Sequence, residues 1–116
     1  MNLKECYAAF GGDYDGVIKR LMTETLVKKF LLKFPQDASY DLLINSLDNA
    51  NFDEAFRAAH TIKGICQNLG IDSLLDSVSP LTEELRDGKG SFSAELLDKV
   101  KKDYQNVISA INELDA

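Results

Sequence analysis

The chain has 116 residues, 45% hydrophobic and 28% charged, the proportions of an ordinary globular domain. Its 13 Lys and Arg against 19 Asp and Glu leave a net charge of −6 with no basic run, which argues against nucleic acid or an anionic membrane surface as a partner. No stretch approaches the roughly 20 apolar residues of a membrane span, and Met1 to Cys6 lacks the basic start and long apolar run of a signal peptide.

A cytoplasmic protein is therefore expected. Cys6 and Cys66 fit that placement as two reduced thiols, since no second pair exists to build a disulfide framework or a zinc site. The starting methionine and compact ends predict a freestanding protein.

A short amphipathic piece runs from Leu3 to Phe10 and stops at Gly11-Gly12. Gly11 to Gly16 (GGDYDG) has a superficial likeness to a calcium loop. Its glycine comes too early and the later carboxylate ligand is missing, so it reads as a turn leading into a helix. Val17, Ile18, Leu21, Met22, Leu26, Phe30, Leu31 and Phe34 then recur at helical steps, as one segment that Pro35-Gln36-Asp37 ends.

Tyr40, Leu43, Ile44 and Leu47 predict a shorter helix, followed by a turn at Asn49 to Asn51. Phe52 to Leu69 predicts another, stopped by Gly70 as a left-handed C-cap. Leu74 to Leu85 follows and ends at Asp87-Gly88-Lys89-Gly90; Pro80 inside it predicts a kink or short break. A last helix carries Leu96, Leu97, Val100, Tyr104, Val107, Ile108, Ile111 and Leu114, capped by Ser93 with Glu95 in its first turn. No alternating strand pattern competes. The expected fold is all-α, an antiparallel four-helix bundle with one or two extra short N-terminal helices, in a single domain over residues 1–116.

The Phe52 to Leu69 segment carries the functional signal. Its apolar stripe is Phe52, Ala55, Ala59, Ile62, Cys66 and Leu69, the seam of a bundle helix. At about 100° per residue, His60 projects roughly 130° from the centre of that stripe. Gly64 and Gln67 share its side, and Lys63 lies at the boundary with the seam. A glycine in a helix interior costs roughly 1 kcal/mol relative to alanine, and Gly64 stands one turn from the sole histidine. An exposed neutral imidazole is a competent nucleophile near neutral pH. A phosphoryl group on its ring would add negative charge that Lys63 can partly offset. The chain has no phosphate-cradling glycine loop and no second histidine, so neither a kinase nor a catalytic metal site is expected.

His60-Thr61-Ile62-Lys63-Gly64, followed by Asn68-Leu69-Gly70, resembles the signature of histidine-containing phosphotransfer (HPt) domains of multistep phosphorelays. The resemblance covers nearly the whole chain and implies a four-helix bundle with the histidine on its second core helix. It implies that His60 takes a phosphoryl group from one receiver-domain aspartate and gives it to another. Response-regulator receivers and a hybrid histidine kinase are then the partners. Magnesium comes with the receiver, and this chain needs no cofactor of its own. By the same resemblance Lys63 helps hold the phosphate, Gly64 lets the receiver approach, and Arg86 matches a basic residue that some members place near the site.

Three positions depart from the family pattern. Gln67 stands where many members have a small residue, and on the histidine face it can either hydrogen-bond the phosphoryl oxygens or restrict docking. Thr82 stands where several have a glutamine that orients the site; its hydroxyl is shorter, which leaves that role to Gln67. Ile71 is larger than the usual residue after the glycine, a packing feature.

Two other readings compete. One is a module that keeps the docking face without the chemistry and binds or inhibits a receiver. The other is an adaptor bundle in which His60 is incidental; a buried, non-titrating ring would favour it. An exposed transfer face predicts a monomer.

Overall fold

Side-chain caps open most of the helices in the computed structural model, which describes residues 1–114. Asn2 and Glu5 form a reciprocal capping box at the start of α1 (Leu3–Phe10). Asp13 accepts the Gly16 N–H and opens α2 (Tyr14–Leu21), so the GGDYDG stretch is a helix start, as its composition implies.

The single segment expected from Val17 to Phe34 is two helices. Met22 takes a positive φ of 76° and ends α2; Thr23 then caps α3 (Glu24–Lys33) by accepting the Leu26 N–H. Helical spacing continues across the break, and the polar cap beneath it decides the outcome. A 3-10 turn at Phe34–Gln36 holds Pro35 and leads to α4 (Ser39–Asp48).

α5 covers Phe52–Leu69 and ends at Gly70, whose φ of 67° is the left-handed cap the sequence predicts. α6 spans Asp72–Leu85, and Ser93 caps α7 (Ala94–Asn112) through the Leu96 N–H. Pro80 does not interrupt α6: the helix runs through it unbroken, without the short break allowed for in the sequence. The residue lacks the N–H that would have bonded the Asp76 carbonyl, and it faces solvent, where water can serve that oxygen.

α4 to α7 form the bundle, each packed along the next and joined by short turns. Tyr40 of α4 closes the ring of helices by stacking on Tyr104 of α7, centroid to centroid 3.6 Å. The core is Leu43, the inner face of α5 (Ala55, Ala58, Ala59, Ile62, Cys66, Leu69), Leu74, Val78, Leu81 and Leu85 of α6, and Val100, Val107 and Ile111 of α7. α1 lies along α7 and adds Leu3, Cys6, Tyr7 and Phe10. Both cysteines are free and buried. Among the described residues there is no strand, and no helix is long and apolar enough to cross a membrane.

The N-terminal helices hold the end of α5. Tyr7 Oη donates to the Leu69 carbonyl at 2.6 Å, the Asp13 N–H to Gly70 O at 2.8 Å, and Arg20 Nε to Asn68 O at 3.1 Å. A side chain at Gly70 would put a Cβ 2.9 Å from the Asp13 carbonyl oxygen, so glycine is required there by conformation and by contact alike.

Candidate functional site

α5 holds the site because its two faces differ. Small apolar side chains fill the inner face, and the outer face carries His60, Gly64 and Gln67 into solvent. The helix start is secured by Asn51, which accepts the Glu54 N–H, and by the acidic Asp53 and Glu54 of the first turn. His60 therefore sits mid-helix on a backbone fixed at both ends.

The ring of His60 is exposed and makes no hydrogen bond among the described residues, leaving both nitrogens open. Phe56, one turn earlier, lies beside it with centroids 5.8 Å apart. The guanidinium of Arg86, which ends α6, sits over the Phe56 ring at 5.1 Å, a cation–π contact. Phe56, Arg57, His60, Thr61 and Arg86 line one shallow surface depression. Thr61 bonds its own helix through Arg57 O, and Arg57 is paired with Glu54 at 3.2 Å.

Lys63 and Gly64 stand one turn beyond His60 and Gln67 two turns beyond, on the same helix side but outside the walls of this depression. Lys63 is half-buried and makes no ion pair among the described residues. Gln67 is exposed and makes no hydrogen bond there, to the His60 ring or elsewhere. The structure thus brings His60 and Arg86 to one depression by way of Phe56 and aligns the other three along the helix.

Gly64 gives the most informative geometry. A Cβ built on it meets nothing within 4 Å, and its backbone is ordinary helix. Neither packing nor conformation inside the chain requires a glycine, yet the helix bears its cost of about 1 kcal/mol. Thr82 makes no hydrogen bond to the site. It is fully buried, and its Oγ1 donates to the Val78 carbonyl at 2.7 Å, so it points into α6's own core side and away from the histidine face. Ile71 is also fully buried, in keeping with a packing role.

Two contributors escaped the sequence reading. Phe56 is the platform between His60 and Arg86; its i−4 spacing from the histidine was the available signal. Glu83 grips Arg86 with both carboxylate oxygens, at 2.8 Å from Nε and 2.7 Å from Nη2. Arg86's hydrogen bonds, and then the charges of Arg86, Lys63 and His60, hold the Glu83 carboxyl below its usual range. The i,i+3 spacing of Glu83 and Arg86 was legible; its position beside His60 depends on the packing of α6 on α5.

A mid-helix imidazole open to solvent, with a guanidinium in the same depression, has the exposure a nucleophile needs. The family model of the Hpt domain matches residues 26–110, from within α3 to within α7. The chain belongs to the Hpt-domain family. Its members are phosphotransfer carriers of two-component systems rather than catalysts, and they work with receiver domains and histidine kinases. No curated protein and no solved structure matched the chain. The N-terminal helix α1, all of α2 and the first residues of α3 lie outside the matched span.

Proposed function

We propose that His60 carries a phosphoryl group between receiver-domain aspartates in a phosphorelay. The observation that carries this reading is the pairing of an exposed, unbonded imidazole with a neighbouring glycine that nothing inside the chain requires. An internal reason for Gly64 is lacking, so the reason is external: a partner surface that comes close to α5 beside His60. The family membership supplies the class of partner, a receiver.

In the transfer step a His60 ring nitrogen attacks the phosphorus of the aspartyl phosphate. The N–P bond forms as the O–P bond breaks, the carboxylate leaves, and the ring's other N–H proton goes to solvent. The reverse sequence delivers the group to a second aspartate. Lys63 and Arg86 lie where they offset the added charge, which is most of what such a transfer asks of the carrier. Gln67, two turns along the same exposed face, is assigned to the docked receiver, where its amide can hydrogen-bond. Magnesium belongs to the receiver in this scheme, and the chain works as a monomer in the cytoplasm. The exposure of His60 speaks against the reading in which the ring is an incidental buried residue.

Incubation with a phosphorylated receiver should give an acid-labile, alkali-stable label on the wild type and none on His60→Gln. His60 is exposed, so the variant should keep wild-type stability within about 0.5 kcal/mol. Equal label on both proteins would refute the assignment. Receiver binding without any label would favour the docking module that lacks the chemistry.

A further inference from the structure

The site contains an anion of its own. Glu83 occupies both hydrogen-bonding nitrogens of the Arg86 fork, and Arg86 lines the depression that holds His60. Glu83 makes no other hydrogen bond or ion pair among the described residues. Both side chains are about half exposed, at 53% and 54%, so the pair is solvated and exchangeable, unlike a buried ion pair. Arg86 is held in place independently by the face of Phe56, which also flanks His60. The guanidinium can therefore change anion partners without leaving the site.

The geometry points to Glu83 as a resident counter-anion that holds Arg86 while His60 is unmodified and yields it to the phosphoryl group. Its negative charge then stays beside a dianionic phosphohistidine, which weakens retention of the group. Glu83 is on this view a positioning residue that tunes how readily His60 gives its phosphoryl group away. The inference rests on the proposed role of His60. It explains why an arginine beside the histidine is already neutralised: a site that only gripped phosphate would be served better by an unpaired cation. Charge-assisted, bidentate carboxylate binding by arginine has the same geometry as bidentate phosphate binding, so one fork serves both in turn.

The test uses phosphoramidate as donor, which removes the receiver from the measurement. The His60 nitrogen attacks phosphorus, an N–P bond forms, the donor's P–N bond breaks, and ammonia leaves as ammonium with the imidazole proton. Wild type, Glu83→Gln, Glu83→Asp, Arg86→Gln and the Glu83→Gln/Arg86→Gln double variant are labelled, and the lifetime of the phosphohistidine and its equilibrium with a receiver are measured. Removing one nearby exposed charge should shift the equilibrium toward phospho-His60 by about threefold to fivefold at low salt, and less at high salt. Glu83→Asp should restore the wild-type value. In the Arg86→Gln background, the Glu83→Gln effect should shrink. A separate readout is the Arg86 Nε–H resonance, which should move when wild-type His60 is phosphorylated. All five proteins should unfold at similar temperatures, which separates this role from a structural one.

An equilibrium within twofold of wild type for Glu83→Gln would overturn the inference, and so would an Arg86 Nε–H signal indifferent to phosphorylation. Absence of label on wild-type His60 from both phosphoramidate and a phosphorylated receiver would instead overturn the carrier reading, and this inference with it.

Discussion

Replacing Gly64 with alanine should make the protein more stable and a poorer carrier. A Cβ at this position meets no atom within 4 Å, and the backbone is helical, so the substitution brings neither clash nor strain. The gain is the helix-propensity difference, about 1 kcal/mol for an interior position. For a domain of this size that is a rise in Tm of about 3–6 °C. Circular dichroism during thermal unfolding measures it. The same proteins are then assayed for phosphoryl exchange with a receiver under single-turnover conditions. Alanine should slow exchange, and Gly64→Gln should slow it more, because misplacement by about 1 Å can cost up to about a hundredfold in a positioned transfer. The opposed signs are the point of the experiment. If Gly64→Ala lowered Tm, an internal role for the glycine would exist after all. If Gly64→Gln exchanged phosphate at the wild-type rate, no partner would approach this stretch of α5.

Thr82→Val should leave transfer within about twofold of wild type, since the buried hydroxyl bonds Val78 O and not the site; the carbonyl keeps its helical N–H partner, so the stability cost should stay near 1 kcal/mol. A large loss of transfer at unchanged stability would show that Thr82 acts on His60 in the complex. Alkaline stability should report the buried thiols. Burial pushes the Cys66 thiol from 9.0 up to about 12. Below pH 9 the thiol is protonated in the folded and unfolded chains alike, and its full contribution is present. Between pH 9 and about 12 only the unfolded chain ionises there, so stability falls by up to about 1.4 kcal/mol per pH unit. Cys66→Ala should flatten that slope in urea titrations taken across this range; an unchanged slope would refute the assignment.

The fold was legible wherever one residue type decides one local event. Gly70 ends α5 because only a residue at ease with positive φ fits there, and Ser93 starts α7 because its hydroxyl can serve the Leu96 N–H. The reading failed where two signals overlapped. Val17 to Phe34 keeps helical spacing throughout, yet Thr23 offers a cap in the middle, and the local cap prevailed. Pro80 taught the reverse: a strong local breaker was overruled by a helix buried through Val78, Leu81 and Leu85 on both sides of it. At the site, helical phase placed His60, Gly64 and Gln67 correctly on an outer face, since all belong to one helix. Glu83 was missed because its relation to His60 runs through Arg86 and Phe56, across a helix–helix interface, whereas Phe56 stands one turn from His60 on the same helix and its spacing could have found it. The direction of Thr82 was out of reach for a related reason: its match to a family position carries no information about which way α6 turns its side chain.

The extra N-terminal helices matter to the site through the backbone of α5. Leu69 O, Gly70 O and Asn68 O all accept from α1, α2 and the turn between them, so the end of α5 is clamped beyond its own cap. At the other end, Phe52 packs against Phe92, and Glu84 accepts the Ser93 N–H, tying the α6–α7 connection beside the start of α5. A helix clamped at both ends has little freedom to shift in response to phosphate. What can respond is what is exposed: the His60 ring, the Gln67 amide, and the Arg86–Glu83 pair resting on Phe56. Transfer between two different receivers then calls for no rearrangement of the fold. It calls for side chains that exchange one anion for another above a fixed backbone, and the bidentate Arg86–Glu83 pair, resting on the Phe56 that flanks His60, is placed to make that exchange.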